Sequence, residues 1–91
     1  MKELPKNVEV YKKTNVFDEN SIPKGILNDH STKPNVWGKI NIVEGKLLYV
    51  VQSNPVEKVE LSVEKFGVVE PEVRHYVKPL GKVKFFVEFL K

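Results

Sequence analysis

Hydrophobic residues recur at every second position along much of this sequence, and two is the period of a β-strand. Val59, Leu61 and Val63 alternate with charged and polar residues. Because successive side chains of a strand point to opposite faces of a sheet, this pattern predicts a half-buried strand. Residues 83–90 are apolar on both faces, which predicts a central strand or a strand at a subunit interface.

Turn signals divide these runs into about eight short strands at regular spacing. Residues 36–43 and 46–52 are expected to form a hairpin at Gly45, because glycine readily adopts the positive φ of a tight turn. Residues 75–78 and 83–90 form the last predicted pair, with a Pro-Leu-Gly segment between them.

The predicted architecture is all-β, a closed barrel or a double-sheet jelly roll with little helix. Residues 8–11 and 26–30 are expected to be further strands, and one short helical turn is expected near 63–66. The length suits a single domain over residues 1–91, in which residues 1–10 form an N-terminal strand or arm.

Charge and composition exclude several classes of protein. The net charge is +3, the lysines are spread along the chain, and Arg74 is the only arginine, which argues against a nucleic-acid-binding surface. The absence of cysteine excludes disulfides, thiolate metal ligands and a cysteine nucleophile, and it suits a reducing cytoplasm. No apolar run approaches the length of a membrane-spanning helix, so neither export nor membrane insertion is indicated.

The two histidines of the chain, His30 and His75, are the candidate metal ligands. Each stands beside a predicted strand, and a rolled sheet could bring both imidazoles into one cavity. Glu88 is the candidate third ligand because it interrupts an apolar strand, where a carboxylate is costly unless it is paired or bound to a cation. Two histidines and one carboxylate suit iron, zinc, manganese or nickel.

Each of these residues also has a structural interpretation. A histidine at a strand end is often only hydrogen bonded, and Glu88 could face solvent or pair with Lys84. Trp37 could be a core or interface aromatic residue, or it could line a ligand pocket. Glu70 could be a solvated turn carboxylate, or it could orient the imidazole of His75.

Other catalytic motifs are absent from the sequence. No dinucleotide-binding, phosphate-binding or nucleophile-elbow motif occurs. Ser31 and His30 are adjacent, so on a strand they would face opposite ways and could not form a relay. Whether the chain is an enzyme stays undecided at this point.

Five blocks of residues between Tyr11 and Phe89 form a distinctive series. They are Tyr11-Lys12-Lys13-Thr14, His30-Ser31-Thr32-Lys33, Val36-Trp37-Gly38-Lys39, Gly45-Lys46-Leu47, and Val69-Glu70-Pro71 ahead of His75. On these blocks the chain resembles the small cupins related to the TehB and YeaR tellurite-resistance-associated proteins. This resemblance implies the cupin barrel, a double-stranded β-helix.

The resemblance also implies a ligand pattern that this chain keeps only in part. His30 and His75 match the first and last histidines of the general cupin pattern. Thr32 stands where a second histidine is usual, and Gly38 stands where a glutamate is usual. Three outcomes stay open: a weakly held metal, a metal completed by Glu88 and water, or no metal.

Two functional hypotheses follow. In the first, the chain is a stand-alone cytoplasmic cupin that binds a small molecule or oxyanion, with a divalent metal at His30 and His75 and with Thr32, Trp37 and Glu70 around the pocket. In the second, it is a metal-free ligand-binding or protein-interaction module that could form a homodimer. Because the chain ends at Lys91, the methyl-donor-binding domain that the resemblance implies for related methyltransferases is expected to be absent.

Overall fold

A computed structural model describes residues 1–27 and 31–91, and these residues form an antiparallel sheet with very little helix. The strands are β1 (Val10–Lys13), β2 (Phe17–Asp18), β3 (Trp37–Val51), β4 (Glu57–Leu61), β5 (Gly67–Val69) and β6 (His75–Leu90), and the helix is α1 (Lys24–Leu27). The sheet order is β1-β6-β3-β4, with β2 also paired to β6 and β5 also paired to β3. The central position predicted for residues 83–90 is therefore confirmed.

The two longest strands, β3 and β6, pair with each other along most of their length, and both are strongly bent. A straight strand of the 16 residues in β6 would span roughly 50 Å, at about 3.3 Å per residue. The longest dimension of the molecule is only 33 Å, so the paired strands must bend. The register of their pairing shifts between Ile42 and Glu44 and again between Gly45 and Leu47, which locates the bend.

Gly45 lies at the centre of this bend and faces Val83 across the pair. Its φ is +78°, and a Cβ atom there would overlap the carbonyl oxygen of Lys82. Beyond the bend Leu47 faces Pro79, which has no N–H to donate to the ladder. The glycine and the proline therefore bend continuous strands, and the prediction that they form hairpin turns between short strands is wrong.

Of the two architectures predicted from about eight short strands, a closed barrel or a double-sheet jelly roll, the closed barrel is wrong. Because each predicted hairpin is part of one long strand, the sheet path has fewer strands and ends at β1 and β4 without closing. Bending nevertheless folds the two halves of the sheet toward each other. The apolar core between them includes Ile40, Ile42, Leu47, Tyr49, Val51, Leu61, Val69, Val77, Val83, Phe85 and Val87.

Local predictions have mixed outcomes. Strand β4 shows the predicted alternation at Val59 and Leu61, with Lys58 and Glu60 exposed. The predicted continuation to Val63 is wrong, because β4 ends at Leu61 and Val63 is 63% exposed. The strand predicted over residues 26–30 is wrong for residues 26 and 27, because both belong to helix α1. The backbone N–H groups of Ile26 and Leu27 donate hydrogen bonds to the Pro23 carbonyl at the start of this helix. Residues 28–30 lie outside the described residues.

The helical turn predicted near residues 63–66 is wrong. Ser62 and Lys65 instead exchange two backbone hydrogen bonds of 3.1 and 3.0 Å, which is the pattern of a tight turn between antiparallel segments. This turn reverses the chain between β4 and β5, both of which pair with β3.

The N-terminal arm packs along the same edge of the sheet. The Met1 ammonium contacts the Glu57 carboxylate, and the Met1 sulfur accepts a 3.1 Å hydrogen bond from the Val68 N–H. Lys2 forms a 3.3 Å ion pair with Glu70. Within the described residues, no helix is long and apolar enough to cross a membrane.

We expect Gly45→Ala to lower the free energy of unfolding by about 3 to 5 kcal/mol, because backbone strain adds to a collision with the Lys82 carbonyl. Gly81→Ala is the matched control, since its φ is +82° but an added Cβ would meet nothing within 4 Å. The control should lose only about 1 to 2 kcal/mol. Urea unfolding measures both, and equal losses would contradict the bend as described.

Candidate functional site

The two halves of the bent sheet enclose a cavity of about 60 Å³. A cavity needs about 10 to 15 Å³ to hold one water molecule, so this space accommodates an ion or a ligand of a few heavy atoms. Its walls are almost entirely apolar. The lining residues are Ile26, Thr32, Gly38, Ile40, Val69, His75, Val77, Phe85, Val87 and Phe89.

His75 is the polar side chain buried most deeply at this cavity, with 3% of its surface exposed. Its Nδ1 atom lies 3.0 Å from the carbonyl oxygen of Val73. A carbonyl oxygen can only accept a hydrogen bond, so Nδ1 carries the proton and donates it. In the neutral imidazole Nε2 is then the nitrogen that accepts a hydrogen bond or binds a metal.

Thr32 is the second polar residue of the cavity, but its hydroxyl has structural partners. The hydroxyl donates to the Val36 carbonyl at 2.8 Å, with the Glu70 carbonyl 3.4 Å away, and it accepts a 3.3 Å hydrogen bond from the Glu72 N–H. Thr32 therefore fastens the segment before β3 to the loop before β6. His75 and Thr32 are the polar side chains among the described lining residues.

Glu88 lies away from His75, on the other face of the sheet. Its neighbours in the strand, Val87 and Phe89, line the cavity, and side chains alternate along a strand. The Glu88 carboxylate accepts a 2.9 Å hydrogen bond from the Asn41 amide. This bond compensates its partial burial, so the structure brings Glu88 together with Asn41.

Trp37 and Glu70 also lie outside the described cavity lining. Trp37 begins β3, is half-buried and faces Leu90 in the strand pairing. The Glu70 carboxylate is engaged with Lys2. His30 lies outside the described residues, and the described residues hold no group of three His, Asp or Glu side chains placed to bind a metal.

The sequence did not identify the apolar walls of the cavity. Alternation correctly placed Phe85, Val87 and Phe89 on one face of the last strand. It gave no sign that Val77, ten positions before Val87 on the same strand, would line the same space. Only the bend of β3 and β6 brings these residues together. The sequence pattern of such a bend is similar to that of a hairpin turn, so the bend was not predicted.

Comparison with known proteins identifies relatives of this fold. Residues 12–87 match the family model of the TehB-like domain. No curated protein sequence matches the chain.

Three of the solved structures that are similar to this chain illustrate its fold. A protein from E. coli strain K12 has a TM-score of 0.88 and 20% identity, covering 100% of this chain and 97% of its own. TehB from Haemophilus influenzae has a TM-score of 0.84 and 23% identity over 93% of this chain. HppE in its Fe(II) form has a TM-score of 0.60 and 18% identity, covering 81% of this chain and 40% of its own.

These structural likenesses establish the fold, since all three identities are low. The chain spans 32% of the TehB chain from Haemophilus influenzae, about a third of its length. It spans nearly all of the E. coli protein. The activity of a whole relative is therefore not carried over to this domain.

Tyr49 supports His75 from the core side. Its ring meets the imidazole edge-on with 5.7 Å between ring centroids, and its hydroxyl donates to the Val68 carbonyl at 3.1 Å. Burial raises the pKa of Tyr49 well above its ordinary value of 10.0, and the negative charges of Glu57 and Glu70 act in the same direction. The phenol therefore stays neutral in the folded protein while the unfolded chain ionises.

We expect Tyr49→Phe to lower the free energy of unfolding by about 1 kcal/mol near neutral pH, through loss of the hydrogen bond to Val68. Because the folded-state pKa is raised, the contribution of Tyr49 is fully present below pH 10 and is lost at up to about 1.4 kcal/mol per pH unit above it. Urea unfolding from pH 8 to 11 should show a shallower alkaline loss in Tyr49→Phe. A slope equal to that of the wild type would contradict this role.

Proposed function

The chain belongs to the TehB-like domain family, and we propose that it is a small cupin that binds a small molecule in the cavity at the bend. One observation carries this proposal: an apolar cavity with a buried imidazole on its wall. Small-molecule sites are commonly concave and apolar, with a few polar groups that orient the ligand. An association with tellurite resistance and a cytoplasmic location are part of the proposal, supported by the family name and by the lack of cysteine.

The arrangement assigns separate roles to the wall and to the imidazole. The valine, isoleucine and phenylalanine side chains would exclude water from the apolar part of a ligand. The imidazole of His75, buried on the wall, would supply the polar contact that orients a ligand. The cavity volume limits the enclosed part of the ligand to a few heavy atoms.

We expect n-propanol to occupy the cavity with a dissociation constant on the order of 1 to 10 mM, as suits a probe of four heavy atoms. Methyl NMR titration should show saturable shifts at Ile40 and Val77, which line the cavity. Val87→Phe should weaken binding at least about fivefold by filling the space. Val43→Phe is the control, because Val43 is 50% exposed and lies outside the lining.

The proposal fails if the shifts do not saturate in the wild-type protein. It also fails if Val87→Phe and Val43→Phe bind n-propanol equally well. The NMR spectra of the two variants show at the same time whether each has kept the fold, so a loss of binding is not confused with unfolding.

A divalent metal in the same cavity is the second candidate function. The Nδ1 contact with Val73 orients His75 in the way that metal-binding histidines are usually oriented. HppE, a structurally similar protein, has a crystal structure in its Fe(II) form. The described residues supply one imidazole, so the metal would also need His30 as a ligand. Zinc, iron, manganese and nickel all suit two imidazoles completed by water or a carboxylate. Open positions on such an ion would bind an oxyanion or polarise a substrate.

We expect the wild-type protein to hold about one divalent metal per chain by elemental analysis, and His30→Ala and His75→Ala each to lose it. Glu88→Gln is the control because Glu88 is hydrogen bonded to Asn41, and it should keep the metal. Metal content unaffected by both histidine substitutions would rule out this site. A metal-free wild-type protein that binds n-propanol would leave the cavity as a metal-free ligand site.

A further inference from the structure

A second hollow opens on the surface beside the cavity, and we call it the recess. Its volume is about 310 Å³, considerably larger than that of the cavity. Thr32 and Phe89 line both hollows, so the two spaces adjoin at these residues. The recess is lined by Tyr11, Lys12, Ser31, Thr32, Lys33, Val36 and Phe89.

The chemistry of the recess differs sharply from that of the cavity. Lys12 and Lys33 bring two ammonium groups to its wall, Ser31 adds a hydroxyl, and no carboxylate is among the described lining residues. Neither lysine forms an ion pair within residues 1–27 and 31–91. Both side chains are exposed, and each offers ammonium donors.

A third ammonium group contacts one of the lining residues of the recess. The Nζ atom of Lys91 sits 4.4 Å from the centroid of the Tyr11 ring, and Tyr11 is itself a lining residue. The face of the ring holds this ammonium by a cation–π interaction. Two lysines therefore line the recess and a third contacts one of its lining residues, which makes the recess suited to an anion.

We propose that the recess binds the carboxylate of a small amphipathic anion whose apolar end enters the adjoining cavity. This inference rests on the proposed function, because it takes the cavity as the site of the apolar end. The carboxylate stays in the open recess, where Lys12 and Lys33 can donate to it without the cost of full burial. The apolar end passes Thr32 and Phe89 and meets the apolar walls around His75.

The test compares propionate with n-propanol, which have three carbons each and differ in the charge of the head group. In the wild-type protein we expect propionate to bind about tenfold more tightly than n-propanol by NMR titration, as two surface charges together can supply. Lys12→Gln with Lys33→Gln should remove this preference and leave n-propanol binding unchanged. Lys78→Gln with Lys82→Gln, two exposed lysines of β6 outside the recess, is the charge-matched control and should keep the preference.

The outcomes separate this inference from the proposed function. If n-propanol binds in the cavity and propionate binds no more tightly, the inference is overturned and the cavity proposal stands. A preference that survives Lys12→Gln with Lys33→Gln, or that is lost equally in the control pair, also overturns it. If neither probe shifts the cavity methyl groups, the proposed function itself fails.

Discussion

The bend in the paired strands β3 and β6 shapes both the core and the cavity of this protein. A straight pair of this length would be longer than the molecule. At Gly45 the backbone of β3 approaches the Lys82 carbonyl too closely for any side chain, and its positive φ is strained for every residue except glycine. The local geometry of one residue thus allows a single sheet to cover both sides of its own core.

The same bend determines which side chains line the cavity together. It brings His75 and Val77 from one half of β6 opposite Val87 and Phe89 from the other half, and so encloses the cavity. Because side chains alternate along a strand, Glu88 is excluded from the cavity. It lies between two lining residues in sequence but contacts Asn41 on the other face of the sheet. Neighbours in sequence therefore need not share the site. Alternate residues on the two halves of the bent strand line the cavity together.

The sequence predicted the elements whose signals are local. Alternation at Val59 and Leu61 and the apolar run of residues 83–90 correctly indicated a half-buried and a central strand, although the first was predicted to continue to Val63. The bend was not predictable in the same way, because Gly45 and Pro79 give the same signal for a hairpin as for a bulge in a continuous strand. The hydrogen bonds of Thr32 to residues 36, 70 and 72 also depend on long-range contacts that no periodicity reveals.

Nuclear Overhauser measurements on a methyl- and aromatic-labelled sample test the bend most directly. On a straight strand Val77 and Val87 would lie roughly 33 Å apart, too far for any cross-peak. A bent β6 should give cross-peaks from His75 or Val77 to Val87 or Phe89, because all four line one cavity of about 60 Å³. If these pairs give no cross-peaks in a fully assigned spectrum, β6 does not fold back on itself and the cavity does not exist as described.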